Sequence, residues 1–180
     1  MILIISTCRE KLSESEFVRP LEELAKKLEK EFFTKHYTLV NKSDLENSEK
    51  VIISGTAVKD FRYYEETAEL FKWIREFKKP LLGICAGFQI ISEVFNEKLT
   101  ENEMIGQFDV SVVLQNKLTE KNEFPAYFVC SKKATKRNFN VIAFSGKVPV
   151  IIKHKEREIY GILFHPEVMN EEIVINFCNL

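Results

Sequence analysis

Cys85 lies in a sequence that predicts a sharp turn and a reactive thiol. The run Leu81–Ile84 (LLGI) reads as a buried strand, and an amphipathic helical pattern begins at once after the cysteine. Gly83 and Gly87 flank it at i−2 and i+2, where side chains would collide with the strand and the helix as the backbone reverses. This is the nucleophile-elbow pattern with cysteine in place of serine. Because a helix begins beside the sulfur, unpaired N–H groups and the positive end of the helix dipole favour the thiolate.

His165 and Glu167 have the types and spacing of a base and the acid that orients it. His165 follows the apolar run Ile159–Phe164, at the C-terminal end of a predicted strand, where open α/β sheets place their ligand crevice. Pro166 fixes the backbone, so in extended geometry the carboxylate at i+2 lies on the same side as the imidazole. It can then hold the tautomer that accepts a thiol proton. Parallel neighbouring strands would bring this pair and Cys85 to one edge of the sheet.

The first half of the chain alternates strand and helix patterns, as a doubly wound sheet requires. The unbroken apolar run Met1–Ser6 is typical of a strand buried on both faces and is expected at the centre of the sheet. The spacing also predicts a helix carrying Phe17, Leu21, Leu24, Leu28 and Phe32, a strand at Tyr37–Val40, a polar turn over Ser43–Lys50, a strand at Val51–Ser54 and a helix over Glu65–Lys79.

After Leu99 the pattern changes to short strands joined by turns, which predicts an antiparallel extension beside the first half. With 180 residues and no linker or low-complexity tract, the chain is expected to form one domain over residues 1–180. The predicted strands are Phe108–Leu114, Ala126–Cys130, Asn140–Ser145, Val148–His154 and Ile159–Phe164, followed by a terminal helix over Glu171–Leu180.

Composition excludes several classes of partner. The 26 basic and 27 acidic residues are well mixed and leave a net charge of −1, so no footprint for nucleic acid or an anionic membrane appears. The apolar run Met1–Ile5 is far too short for a secretion signal or a membrane span, so a cytoplasmic location is expected. The four cysteines form no CxxC pair, and the three histidines do not cluster, which predicts reduced thiols and neither a metal site nor a cofactor.

Two segments, GICAGFQ around Cys85 and FHPEV around His165, together resemble the paired signatures of the class I (triad) glutamine amidotransferases. The resemblance runs from the first strand through the SGT loop at 54–56 to the closing helix. It implies a flavodoxin-like, mostly parallel sheet with an antiparallel part, and hydrolysis of glutamine to glutamate and ammonia through a cysteinyl thioester. It also implies that Cys85 is the nucleophile, His165 the general base and then acid, and Glu167 its orienter.

The same resemblance implies the groups that surround the substrate. The oxyanion hole would consist of the N–H of Ala86 and a backbone N–H at Gly55 or Thr56. Gly55 is alternatively only a turn residue. Gln89 either lies near the substrate or satisfies backbone groups at the helix start. The segment with Cys130 and Ser131 corresponds to one that helps to hold the glutamine backbone. The aromatic residues that follow the SGT loop either cover the site, meet a partner or pack locally: Phe61, Tyr63 and Tyr64.

The chain departs from the family pattern in four places. The loop usually written SGGP is here SGTAVKD, with Thr56 and Ala57 in place of the second glycine and the proline. The first strand ends in Ser6–Arg9 (STCR) instead of Asp-Asn, Cys130 occupies a position that is often histidine, and Leu163 one that is often glutamine. Two of these differences fall in the oxyanion loop and in the segment that holds glutamine, and none falls in the triad.

Three functions remain open. The first is a glutaminase subunit that delivers ammonia to a separate ammonia-using synthase, since the chain contains no nucleotide-binding signature such as SGGxDS or a Walker A loop. Its IYGILFHPEV ending and length look most like the glutaminase subunit of two-chain GMP synthetases, with the anthranilate or aminodeoxychorismate type next. The second is a free-standing γ-glutamyl amide hydrolase with the same triad. The third is a non-catalytic amidotransferase-like binding protein.

Overall fold

The computed structural model describes residues 1–135 and 137–180, and within them nine strands form one sheet. The strands are β1 (Ile2–Ser6), β2 (Phe32–His36), β3 (Lys50–Ile53), β4 (Leu81–Ile84), β5 (Leu99–Val112), β6 (Glu123–Ala134), β7 (Phe139–Ser145), β8 (Val148–His154) and β9 (Ile159–Ile162). The helices are α1 (Glu14–Phe17), α2 (Arg19–Lys27), α3 (Lys42–Asn47), α4 (Arg62–Leu70), α5 (Ala86–Val94) and α6 (Glu171–Cys178), with 3₁₀ turns at Lys11–Ser13, Tyr37–Leu39 and Lys72–Arg75.

The sheet has two halves. Its order is β2-β1-β3-β4-β9-β8-β7-β5-β6. The strands from β2 to β9 in this order pair in parallel, and those from β9 to β6 pair antiparallel. The predicted α/β class with an antiparallel extension is confirmed. The first strand lies inside the sheet, between β2 and β3, and its residues are fully buried.

β4 and β9 meet where the parallel half ends. They pair in register, with Leu81 opposite Ile159 and Ile84 opposite Ile162. All eight of their residues are buried, as their continuous apolar sequences predict. The residues that follow each strand therefore emerge at the same edge of the sheet. α5 packs over both strands: a Cβ on Gly161 would lie 2.9 Å from the Phe88 ring.

The predicted first helix is wrong at its C-terminal end. α2 ends at Lys27, and Glu29 adopts a positive φ of 53°, which turns the chain back. Phe32 therefore begins β2 instead of ending the helix. The predicted strand Tyr37–Val40 is wrong, since the strand ends at His36 and Tyr37–Leu39 form a 3₁₀ turn. β2 is an edge strand with five half-buried residues, so its sequence shows no alternation. Pro20 lies in the first turn of α2, because a separate short helix precedes it.

Two further segments differ from prediction. The polar segment Ser43–Lys50, predicted to be a turn, lies largely in α3, whose N-terminus carries a capping box between Asn41 and Asp44. The predicted helix over Glu65–Lys79 is α4 followed by a 3₁₀ turn, since the α-helix ends at Leu70. β5 and β6 are also longer than predicted. Within the described residues, no helix has the length and apolar character needed to span a bilayer.

Candidate active site

Cys85 sits on a strained turn between β4 and α5. Its φ is 49° and its ψ −95°, values that a residue with a side chain rarely adopts. Glycine is required at both flanking positions, because a Cβ there would collide with neighbouring backbone. A Cβ on Gly83 would lie 2.4 Å from the Gly87 backbone, and one on Gly87 would lie 2.6 Å from the Ile53 carbonyl oxygen. The predicted elbow is therefore present, and it holds the thiol at the start of α5.

His165 and Glu167 form a buried pair. The imidazole Nδ1 lies 2.8 Å from a Glu167 carboxylate oxygen, and the two residues are 1% and 5% exposed. The backbone N–H of His165 donates to the Tyr127 carbonyl at 2.9 Å, which ties the segment after β9 to β6. Phe17 packs its ring at 5.3 Å from the imidazole centroid. The helix pattern predicts Phe17 as a core residue, but no local signal links it to His165.

Gly55 brings the thiol and the imidazole together. A Cβ at this position would lie 2.6 Å from His165 Cε1 and 3.4 Å from the Cys85 Cβ. The imidazole Nε2 is buried without a hydrogen-bond partner among the described residues, and the Cys85 thiol donates to the Val129 carbonyl at 3.3 Å. Nδ1 is thus engaged by the carboxylate, so Nε2 is the ring nitrogen left for the Cys85 side chain, whose interaction with the imidazole raises the His165 pKa.

The electrostatics of this cluster favour a charged imidazole. Burial lowers the pKa of His165, but negative charge at Cys85 and the Glu167 carboxylate outweigh it and raise the pKa to about 10. Burial raises the pKa of Cys8 to about 11 and that of Cys130 further, so both remain thiols at neutral pH. All four described cysteines are free of disulfide bonds.

The peptide between Gly55 and Thr56 has a fixed orientation. The Gly55 carbonyl accepts hydrogen bonds from Thr7 Oγ1 at 3.1 Å and from Ser54 Oγ at 2.9 Å. Because C=O and N–H point in opposite directions across a trans peptide, the Thr56 N–H points away from Thr7. Ala86 is the first residue of α5, so its N–H has no partner within the helix.

A small cavity lies in front of the thiol. The volume open to the centre of a water molecule is about 10 Å³, enough for roughly one water. Gln89 lines it and accepts a hydrogen bond from the Tyr63 hydroxyl at 2.8 Å, so its oxygen does not cap the helix start. The cavity is lined by Thr56, Ala57, Val58, Phe61, Tyr63, Cys85, Ala86, Gln89, Val129, Cys130 and Ser131. Gly55 instead packs behind it, against His165.

The lining includes every substrate-side candidate from the sequence: Gln89, Cys130 and Ser131. It also includes Phe61 and Tyr63, two of the aromatic residues that follow the SGT loop. Sequence reasoning missed Val129, whose main-chain carbonyl contacts the thiol and leaves no trace in side-chain patterns. Across residues 1–135 and 137–180, no group of three or more His, Cys, Asp or Glu side chains is arranged to hold a metal ion.

Comparisons with known proteins agree with this architecture. Residues 14–176 match the family model described as glutamine amidotransferase class-I. A GMP synthase [glutamine-hydrolyzing] subunit from Methanococcus maripaludis strain S2 is 37% identical over 110 residues, covering 55% of this chain and 58% of the relative. The corresponding subunit from Pyrococcus abyssi is 34% identical over 127 residues, covering 58% and 62%. The match thus spans about three fifths of the length of these relatives.

Solved structures show the same fold. A putative GMP synthase subunit from Thermoplasma acidophilum superposes with a TM-score of 0.85 at 21% identity, covering 99% of this chain and 92% of the other. A glutamine amidotransferase from Thermotoga maritima gives a TM-score of 0.74 at 17% identity, covering 95% and 78%.

Proposed function

Because the chain belongs to the class I glutamine amidotransferase family, we propose that it is a glutaminase subunit that acts through a Cys85–His165–Glu167 triad within one domain over residues 1–180. The observation that carries this proposal is the buried imidazole beside Gly55. Its Nδ1 is held by Glu167, its Nε2 has no partner among the described residues, and the Cys85 Cβ packs against the same glycine. This is the geometry of a nucleophile with an oriented base.

The proposed reaction is acyl transfer through a thioester. The Cys85 thiolate attacks the side-chain carboxamide carbon of glutamine, and two backbone N–H groups stabilise the tetrahedral oxyanion. The fixed peptide and the shared cavity favour Thr56 and Ala86 as these donors, with Gly55 supporting the loop. The His165 imidazolium gives its proton to the departing ammonia. The neutral imidazole then takes a proton from water, which attacks the thioester and releases glutamate.

Glutamine recognition is proposed at Gln89, Cys130 and Ser131, which line the same cavity as the thiol. With room for about one water, this cavity does not hold glutamine as it stands. Substrate binding therefore requires its cover, defined here as the side chains of Ala57, Val58 and Phe61, to move.

The proposed partner is a separate synthase that consumes the ammonia before it is protonated in water. The relatives named as GMP synthase subunits, at 34% and 37% identity, support GMP synthase as that partner.

The test is glutamine hydrolysis by the purified chain with and without the candidate synthase. We expect glutamate formation and covalent labelling by a glutamine-like alkylating analogue, both lost in Cys85→Ala. Cys178→Ala is the matched control, because Cys178 is another buried cysteine, on α6. Strong hydrolysis of γ-glutamyl amides without a synthase would replace the subunit proposal by a free-standing hydrolase. Absence of both hydrolysis and labelling would show a non-catalytic protein.

A further inference from the structure

Two departures of this chain from the family pattern contact each other. The segment after β1, with Thr7 and Arg9, packs along the oxyanion loop, defined here as residues 54–60. The Thr7 N–H donates to Ser54 Oγ at 3.2 Å, and its hydroxyl donates to the Gly55 carbonyl. The Arg9 N–H donates to a carboxylate oxygen of Asp60 at 2.7 Å. The unusual strand ending thus supplies the groups that hold the unusual loop.

Asp60 closes the oxyanion loop on itself. The same carboxylate oxygen that binds the Arg9 N–H accepts the hydroxyl of Thr56 at 3.0 Å. The Asp60 N–H donates back to the Ala57 carbonyl at 2.9 Å. Thr56 is 3% exposed, so its hydroxyl is tied to this carboxylate inside the protein. A glycine at position 56 has no hydroxyl and could not make the link.

Thr56 is therefore held from both sides. The carbonyl before it is held by Thr7 and Ser54, and its own side chain is held by Asp60. Rotation of the Gly55–Thr56 peptide would break hydrogen bonds at both ends. A backbone N–H that is fixed before the reaction needs no reorganisation when the oxyanion forms.

We propose, building on the glutaminase function above, that Asp60 is a positioning residue that aims the Thr56 N–H at the developing oxyanion through the Thr56 hydroxyl. Asp60 does not line the cavity in front of Cys85 and acts only through Thr56. The Thr56–Asp60 link supplies the rigidity that glycine and proline give to the usual loop.

The test compares four variants in the assay in which the wild-type chain hydrolyses glutamine. Thr56→Val keeps the backbone N–H and the side-chain volume but removes the hydroxyl, and Asp60→Ala removes its acceptor. Each is expected to lower kcat by about 10- to 100-fold with little change in KM, because the donor acts on the transition state. The double variant is expected to be no slower than the worse single variant. Thr56→Ser keeps the hydroxyl and is expected to retain near wild-type kcat.

A second measurement separates positioning from folding. The γ-aldehyde analogue of glutamine adds the Cys85 thiol to its carbonyl carbon, and the carbonyl oxygen takes the proton to form a thiohemiacetal. That oxygen occupies the oxyanion position. The affinity for the aldehyde should therefore fall in parallel with kcat in Thr56→Val and Asp60→Ala, while the affinity for glutamate stays unchanged. Asp44→Ala is the matched control: it removes a carboxylate that accepts a backbone N–H at α3 and should lower stability but not kcat.

The outcomes separate the two proposals. An active wild type with unchanged kcat and aldehyde affinity in Thr56→Val would overturn the role of Asp60 and leave the glutaminase proposal intact. A wild type that neither hydrolyses glutamine nor binds the aldehyde would overturn both. If Asp60→Ala does not fold, the isosteric Thr56→Val decides the result.

Discussion

The His165 imidazole lies between two groups that attract a proton to it. Glu167 binds Nδ1, and the Cys85 side chain interacts with the same ring. Burial alone would favour the neutral ring, because a charged group loses its hydration in the interior. The raised pKa therefore depends on negative charge at both neighbours, and it can be tested by removing one of them.

Replacing Cys85 by alanine should lower the pKa of His165 from about 10, since burial then opposes a single carboxylate. In the wild type the pKa of His165 is higher in the folded protein than in the unfolded chain, where it is about 6.5. The charged ring therefore stabilises the fold fully below pH 6.5, and this stabilisation is lost as the pH rises through about 10. An NMR titration of labelled histidine measures the change. His154, whose pKa is lowered by burial and Arg157, is the internal control and should not move. An unchanged pKa of His165 would exclude charge coupling to the sulfur.

Replacing Glu167 by glutamine should reduce kcat by about 10²-fold or more, because the neutral amide no longer stabilises the imidazolium and can hold the wrong tautomer. Steady-state glutamine hydrolysis measures the loss. Glu171→Gln is the matched control, since that carboxylate is half-exposed and pairs with Lys27. Equal loss in both variants would indicate a general effect of charge instead of a triad.

At the scale of elements, the cover of the active site is tied to β6. Lys132 on β6 places its ammonium 5.1 Å from the Phe61 ring centroid and 4.3 Å from that of Tyr64. Such cation–π contacts contribute about 0.5–1 kcal/mol each at partly exposed sites. The contact with Phe61 thus holds the C-terminal end of the cover over the cavity, and its displacement would expose Cys85.

Phe61→Ala should accelerate alkylation of Cys85 by iodoacetamide roughly tenfold. The substitution removes a cation–π contact and part of the apolar cover. Together these losses shift the free-energy difference between the closed and open states by about 1–2 kcal/mol in favour of the open state. Mass spectrometry of the labelled peptide gives the rate constant. Leu39→Ala removes another exposed apolar side chain, in the 3₁₀ turn Tyr37–Leu39 and outside the cavity lining, and should leave the rate unchanged. An unaltered rate in Phe61→Ala would mean that reagents reach the thiol by another path.

Lys79 holds the C-terminal end of α3. Its ammonium donates to the carbonyl oxygens of Leu45 at 3.0 Å, Glu46 at 2.8 Å and Ser48 at 2.6 Å. A cation at this position satisfies carbonyls that have no partner in the helix and opposes the negative end of its dipole.

Lys79→Met should therefore lower the free energy of unfolding by about 1–3 kcal/mol. Urea denaturation measures the change. Lys78→Met, at an exposed neighbouring position, should cost much less. Glutamine hydrolysis should be unaffected in both variants, and comparable losses of stability would show that the three carbonyl contacts contribute little.

How much of the structure the sequence predicts depends on the range of each signal. The elbow at Cys85 needs only its own glycines, and the sequence predicts it in full. The capping residues Asn41 and Asp44 have equally local signals, but a short polar helix and a turn share the same composition. The edge strand Phe32–His36 is half-buried throughout and so lacks the alternation that marks a strand. The contact of Phe17 with His165 depends on the packing of distant segments, which no local pattern encodes.

At the scale of the whole molecule, the site lies where the parallel and antiparallel halves of the sheet meet. β6 is the last strand in the sheet order, yet it returns to the ends of β4 and β9. There the Tyr127 carbonyl accepts a hydrogen bond from the backbone N–H of His165, and the Val129 carbonyl accepts one from the Cys85 thiol. The curvature of the sheet thus brings its outermost strand over the nucleophile.

The pairing of β4 with β9 also sets the order in which the molecule can assemble. Ribosomal synthesis produces β4 long before β9, because β5, β6, β7 and β8 are all made before β9 can dock beside β4. Contacts between such distant segments form late, because closing a long loop costs entropy before pairing compensates for it. In a newly made chain His165, which follows β9, therefore cannot yet lie beside Cys85, so the proposed triad is complete only once β9 has been inserted.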